Sequence, residues 1–97
     1  MRRNQKLTNV LRGRTVERAT AEPGKLVIRF SDQSTMQVKT AGIAESLPSG
    51  GKIKAVQEDG AGFTLQFDDG STATLQLADP GSSVAVRDQN NQVQYLG

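Results

Sequence analysis

Apolar and polar residues alternate with period two in residues 63–67 and again in residues 73–77. In the first stretch Phe, Leu and Phe alternate with Thr and Gln, and in the second Ala, Leu and Leu do the same. A period of two indicates β-strands with one buried face. The intervening Asp68-Asp69-Gly70 is typical of a tight turn, so the pattern predicts a β-hairpin.

The length of this turn is set by the requirement that the apolar residues of both strands share one face. A two-residue loop would pair Phe67 with Thr72 and place the two apolar sets on opposite faces. A three-residue loop over residues 68–70 pairs Phe67 with Ser71 and brings all of them to one side. Such a loop is a type I turn plus a bulge, and its third position is left-handed and favours the glycine found at Gly70.

The same unit occurs earlier in the chain. Residues 26–41 align without gaps on residues 63–78 at a fixed offset of 37 positions. A repeat of about this length indicates one supersecondary unit used twice. The register of the second hairpin then applies to the first and pairs Ile28 with Met36. The left-handed position of the first loop is Gln33, where a side chain costs roughly 1 kcal/mol relative to glycine.

A further strand is predicted before each hairpin, in residues 14–20 and 52–57, which makes each copy a three-stranded antiparallel meander. The apolar residues of both strands are three positions apart, which indicates a β-bulge or strand end near each. The joint between the copies, residues 42–51, is predicted to be a loop with one helical turn at residues 43–47.

The two ends of the chain add further elements. Leu7, Val10 and Leu11 have helical spacing and precede Gly13, which predicts a short helix over residues 4–11. Residues 83–96 predict a final hairpin with a four-residue loop at 88–91. In that register Val84 and Val86 face Val93 and Tyr95, so that both pairs point inward.

These elements predict one all-β domain over residues 1–97 with a short N-terminal helix. It consists of two pseudo-repeated three-stranded antiparallel meanders, in the repeat 13–41 and 50–78, and the C-terminal hairpin 83–96. Each copy alone is too short to close a core. Strands that are apolar on one face fit either a small barrel or a sandwich of two sheets, and the pattern leaves both open.

The composition excludes several kinds of chemistry. The chain has no cysteine and no histidine, so it lacks a thiol nucleophile, a disulfide framework and the commonest general base. Asp32, Asp68 and Asp69 stand at hairpin tips, where aspartate usually binds backbone amides, and we predict that they shape turns. We therefore expect no enzymatic activity, no cofactor and no metal site.

No segment approaches the ~20 apolar residues of a membrane span, and the N-terminus lacks the apolar block of a secretory signal. We expect a cytoplasmic protein that does not bind membranes.

The net charge of +2 is unevenly distributed, because residues 1–18 carry six basic residues and a single acid. Such asymmetry can mark an anionic partner, and nucleic acid is the partner whose phosphates these cations would contact. A solvated basic terminus is the simpler alternative. The candidate contacts are Arg2, Arg3, Lys6, Arg12, Arg14 and Arg18.

The outward faces of the two copies differ. The first carries Lys25, Arg29 and Lys39, whereas the second is uncharged and lacks the charge that discourages sheets from pairing. This neutral face, a candidate interface, consists of Thr64, Gln66, Thr72, Thr74 and Gln76.

The leading functional prediction is a small non-enzymatic β-module that acts by protein–protein interaction or self-association, including a homodimer through a neutral face or an edge strand. The alternative is a nucleic-acid-binding β-domain that uses its basic N-terminal segment.

Overall fold

The computed structural model describes residues 2–42 and 50–97, except for the side chain of Arg2. The helical turn predicted at residues 43–47 lies outside the described residues. One helix and nine strands are present in the described part of the chain. They are β1 (Arg2–Arg3), α1 (Gln5–Leu11), β2 (Val16–Glu22), β3 (Lys25–Phe30), β4 (Thr35–Lys39), β5 (Ile53–Asp59), β6 (Gly62–Phe67), β7 (Thr72–Gln76), β8 (Val84–Arg87) and β9 (Val93–Leu96).

The strands form two antiparallel sheets, one built on each copy of the repeat. The second copy forms a four-stranded sheet in the order β1-β5-β6-β7, and the first forms a five-stranded sheet in the order β2-β3-β4-β8-β9. The predicted all-β class with one short helix is therefore confirmed. Among the described residues, no strand pairing closes the sheets into a barrel.

The predicted hairpin register is confirmed in both copies. Ile28 pairs with Met36 in the first hairpin, and Leu65 pairs with Ala73 in the second. The amide of Phe67 donates to the carbonyl of Ser71 at 2.9 Å, which closes a three-residue loop. The third loop position is left-handed in both copies, with φ of 74° at Gln33 and 89° at Gly70.

In the first strand of each copy, where a bulge or a strand end was predicted, the structure shows a bulge. The β2–β3 register shifts between Val16 and Arg18, and the β5–β6 register shifts between Ile53 and Ala55. These positions are equivalent in the repeat, so the two meanders share this irregularity as well as their hairpins.

Backbone contacts join the two copies at equivalent residues, which reveals an internal pseudo-two-fold. Isolated bridges connect Thr15 with Lys52 and Thr40 with Leu77, and each pair has the repeat offset. The hydrogen bonds beside the first bridge come in matching pairs. The amide of Gly13 donates to the carbonyl of Ile53 at 2.9 Å, and that of Gly50 donates to the carbonyl of Val16 at 2.7 Å.

The N-terminal helix begins one residue later than predicted, because Asn4 is its N-cap. The Asn4 side chain accepts a hydrogen bond from the amide of Leu7 at 3.0 Å, which satisfies one of the free amides of the first turn. Leu7 and Leu11 are fully buried in the core that both sheets share. The hydroxyl of Thr8 accepts from the amide of Val56 at 3.0 Å and fixes the helix along β5.

The C-terminal hairpin is present, but the predicted loop is wrong. The amide of Asp88 donates to the carbonyl of Gln92, and Asn91 is left-handed with φ of 65°, so the loop has three residues like the other two. A bulge follows between Val86 and Arg87. Val93 therefore pairs with Arg87 and is 47% exposed, instead of facing the core.

The two copies differ in how they fill the space over one core phenylalanine. Arg14 in the first copy places its guanidinium 5.9 Å from the centre of the Phe30 ring. The equivalent residue in the second copy is Gly51, and a Cβ there would lie 2.8 Å from Cδ1 of Phe67. The absence of a side chain at Gly51 therefore allows Phe67 to pack against the backbone.

Exchanging the residues of the two loops tests the hairpin geometry. We expect Gln33→Gly to stabilise the protein by a few tenths to about 1 kcal/mol, because glycine has no steric penalty in the left-handed region. The substitution removes only an exposed hydrogen bond between the Arg29 and Gln33 side chains. The reciprocal Gly70→Gln should be destabilising by a similar amount. Denaturant unfolding of both variants measures the effect, and destabilisation by Gln33→Gly would contradict the register.

The close approach of Phe67 predicts that Gly51→Ala destabilises the protein by about 1–3 kcal/mol through overpacking. Phe67→Leu, as a smaller side chain, should relieve the contact. The double variant should then lose less free energy of unfolding than the sum of the two single variants, which chemical denaturation measures. Strict additivity would show that the ring does not limit this position.

Candidate interaction surfaces

The acidic residues at the hairpin tips bind their own loops. One carboxylate oxygen of Asp32 accepts hydrogen bonds from the Ser34 amide at 2.9 Å and from the Ser34 hydroxyl. Asp69 does the same with Ser71, at 2.8 Å from the amide and 2.5 Å from the hydroxyl. The prediction that aspartates shape these turns is confirmed for Asp32 and Asp69, whereas Asp68 makes no side-chain hydrogen bond among the described residues. Among the residues that the structure describes, no three metal-ligating side chains cluster together.

Both carboxyl groups are shifted toward their charged form. Partial burial raises the pKa of Asp32, but the Ser34 hydrogen bonds and the nearby Arg14 charge outweigh it, so its pKa is lowered overall. The pKa of Asp69 is lowered chiefly by the hydroxyl and then the amide of Ser71.

Arg14 is engaged in contacts within the molecule. Its Nε lies 3.6 Å from a carboxylate oxygen of Asp32, and its Nη2 donates to the side-chain oxygen of Gln94 at 2.6 Å. Its side chain is only 16% exposed. It thus connects the first hairpin tip to β9, which leaves its guanidinium little access to an outside phosphate. Its Nη1 is buried and has no hydrogen-bond partner among the described residues.

The other N-terminal cations lie on separate elements. Arg3 is on β1, Lys6 is on α1, Arg12 is the helix C-cap and Arg18 is on β2, and all four are exposed. The backbone of Arg2 pairs with Glu58 in β1. The two sheets and the helix therefore divide these residues, although they are close in sequence.

The neutral face is only partly accessible. Thr64 is 6% exposed, and its hydroxyl lies 3.3 Å from that of Thr74 across the β6–β7 pair. Gln66 is half-buried, and the outer positions of β7 are exposed. These outer positions are Thr72, Thr74 and Gln76.

The outer face of the five-stranded sheet is more exposed and strongly basic. The strand register places Arg18, Arg29 and Arg87 in one row across the sheet, ending at Val93 on β9. In a second row Lys25 lies between Glu22 and Lys39, directly opposite each of them. An open cleft of about 730 Å³ begins beside these lysines and extends to Leu96, which is 68% exposed.

One edge of the same sheet, strand β2, is unpaired. Beyond Val16, no described residue pairs with β2 on the side away from β3. The amide of Phe30 points to β4. Because backbone groups alternate in direction along a strand, the amide and carbonyl of Arg29 point the other way, toward its partner Arg18 on β2. Ala19 and Ala21 must then direct their amides and carbonyls to the open edge. This edge is a template for another strand.

Protein-family models, curated proteins and solved structures were all compared with this chain, and none matches. In the described part of the chain, no helix is long and apolar enough to cross a membrane.

The lowered pKa of Asp32 predicts how stability depends on pH. The folded protein holds this carboxyl charged more strongly than the unfolded chain, whose pKa is about 3.9. The stabilisation is therefore present above that value and is lost as the pH falls through the lower pKa of the folded state. Asp32→Asn should flatten the fall in the free energy of unfolding between about pH 5 and pH 2, measured by denaturant titration at each pH.

Asp68→Asn serves as the control for this experiment. Asp68 is an exposed neighbour at the second hairpin tip and makes no side-chain hydrogen bond among the described residues. The pH profile of this variant should match the wild-type profile. An Asp32→Asn profile that also matches wild type would contradict the assigned hydrogen bonds.

Proposed function

We propose that the chain is a non-enzymatic β-module that acts by protein–protein interaction, and that it forms a homodimer through the open edge of β2. The observation that carries this proposal is strand β2, whose outer backbone groups beyond Val16 are unpaired among the described residues. Addition of a strand to such an edge is a common mode of recognition, because main-chain hydrogen bonds supply the affinity.

The sequence of β2 favours β2 of a second protomer as the added strand. In an antiparallel pair centred on Thr20, Ala19 of each protomer lies opposite Ala21 of the other protomer. These are the residues whose amides and carbonyls point outward, so they can exchange both hydrogen bonds. Their small side chains allow the two strands to approach without displacing core residues.

Charge selects the same register. With Thr20 at the centre, Arg18 of each protomer lies opposite Glu22 of the other protomer, on the outer face of the shared sheet. A slide of two residues either way leaves both charges without an opposite partner. A slide of four brings Arg18 opposite Arg18, or Glu22 opposite Glu22. Opposite charges across a strand pair are favourable and like charges are not, so one register is preferred.

We also infer that the two sheets of the molecule face each other as a sandwich. Buried residues from both sheets form one core, with Ile28 and Phe30 from one and Leu65 and Phe67 from the other. This packing supports a sandwich arrangement. The cytoplasmic location and nucleic-acid binding through the N-terminal segment stay predictions of the sequence alone.

Charge reversal tests the dimer. Arg18→Glu and Glu22→Arg should each weaken dimerisation at least about tenfold, because each places like charges opposite in both halves of a symmetric pair. The double variant restores the pairing with the signs exchanged and should recover most of the affinity. Sedimentation equilibrium over a range of concentrations measures the dissociation constant, and circular dichroism verifies the fold.

Lys54→Glu is the matched control. Lys54 is an exposed cation on β5, away from the β2 edge, and the substitution changes the charge by the same amount as Arg18→Glu. It should leave the dimer intact. A wild-type protein that stays monomeric at high micromolar concentration overturns the proposal, as does a double variant that fails to recover.

A further inference from the structure

Five cations share the outer face of the five-stranded sheet, and we call this surface the basic face. Their side chains lie opposite to the buried positions of the same strands, as the register of each strand pair requires. Two carboxylates lie on the same strands, Glu22 directly opposite Lys25 and Glu17 exposed at the bulge beside Arg18. The basic face consists of Arg18, Lys25, Arg29, Lys39 and Arg87.

Two pairs of these cations lie directly opposite one another. Arg18 is the cross-strand partner of Arg29, and Lys25 is the partner of Lys39. Like charges in this position destabilise a sheet. The single ion pair among the described residues joins Arg14 and Asp32, so none of the five cations forms an ion pair, although Glu22 is the cross-strand partner of Lys25. Five cations outnumber these two carboxylates, so the face carries a net positive charge and a positive potential.

The second copy shows that the fold does not need these charges. The positions equivalent to Arg18, Lys25, Arg29 and Lys39 carry no charge, yet the strands pair in the same register. The acid of this face does have an equivalent, since Glu22 corresponds to Asp59. The uncharged equivalents are Ala55, Gly62, Gln66 and Gln76. A destabilising set of charges that only one copy contains points to a role outside folding.

We propose that the basic face binds the phosphate backbone of double-stranded nucleic acid. Along β3, Lys25 and Arg29 are about 13 Å apart at ~3.3 Å per residue, and Arg29 and Arg87 are separated by two strand spacings, about 10 Å. A duplex carries one phosphate per ~1.7 Å of its axis, so a patch of this size meets several phosphates at once. Charge complementarity thus identifies a polyanion as the occupant.

The absence of aromatic residues from the face favours a duplex over a single strand. Proteins that bind single strands stack the bases on aromatic side chains. All three phenylalanines of this chain are buried, and Tyr95 lies on the inner side of β9 opposite the buried Val86. A duplex stacks its own bases and presents phosphates outward. The expected binding is therefore driven by phosphate contacts and independent of sequence.

This surface is distinct from the open edge of β2 and goes beyond self-association. In a dimer with Arg18 opposite Glu22 of the other protomer, the remaining four cations of each basic face lie outside the dimer contact. The two faces would then lie side by side and form one longer positive surface. Binding of a duplex and formation of the dimer have separate readouts, so either proposal can fail without the other.

Fluorescence anisotropy with a labelled 20-base-pair DNA of mixed sequence tests the proposal. We expect binding at 25 mM salt that weakens steeply toward 200 mM, with a log–log slope of about −3 to −4 for four phosphate contacts. The triple variant Lys25→Gln, Arg29→Gln and Lys39→Gln should bind at least about tenfold more weakly, and its slope should be smaller by about 2.7. Glutamine already occupies the equivalents of Arg29 and Lys39 in the second copy.

A second triple variant, Arg3→Gln, Lys6→Gln and Arg12→Gln, removes the same net charge from the N-terminal segment. It should bind the duplex within about threefold of wild type, because its cations lie on other elements. Equal losses in the two variants would show that net charge alone attracts the DNA and would overturn the proposal. The proposal also fails if no binding occurs at 25 mM salt. Competition by poly-glutamate as effective as that by unlabelled duplex would overturn it too.

Discussion

Neither 37-residue unit can close a core alone, so the fold depends on joining the two copies. Main-chain hydrogen bonds between the copies make this connection. At one end the first strand of each copy bonds to the other, with Val16 donating to Gly51 and Ile53 donating to Arg14. At the other end Ala41 donates to Gln76, and Ala78 donates to Lys39. These bonds are related by the repeat offset. They bring the apolar faces of both meanders onto one core, and the surfaces that remain outside are the ones available for function.

The two copies share a backbone but have acquired different neighbours. β1 and α1 cover the outer edge of β5, whereas β8 and β9 cover the edge of β4. The two additions meet where the Asn4 side chain donates to the Tyr95 hydroxyl at 2.9 Å. The equivalent of the covered β5 edge is the edge of β2, which no described element covers. Both proposals arise from this inequality between the copies, since one concerns the open edge and the other concerns charges that only one copy carries.

Much of the fold could be predicted from the sequence, but less of the candidate surfaces. The hairpin register followed from burial, and the bulges followed from the three-residue spacing in the first strand of each copy. The last hairpin was predicted with a loop one residue too long, because Asn91 adopts the left-handed conformation that glycine usually provides. The register is therefore shifted, and Val93 is exposed instead of facing the core. The pair β1–β5 was missed because two residues are too few to show a period. The N-terminal cations were grouped by their closeness in sequence, which does not place side chains on one surface.

The sequence by itself determined the local structure of this protein. A period of two, an aspartate–glycine turn and an exact offset specify which residues of each hairpin face inward, because a slip of one residue would expose every apolar side chain. Only the tertiary structure decided which cations lie together and which strands are left at the sheet edges. Those properties depend on pairings between residues far apart in the chain, such as β4 with β8, and no local pattern encodes them. The same pairings place Arg87 in one row with Arg29 and bury Arg14 against Phe30.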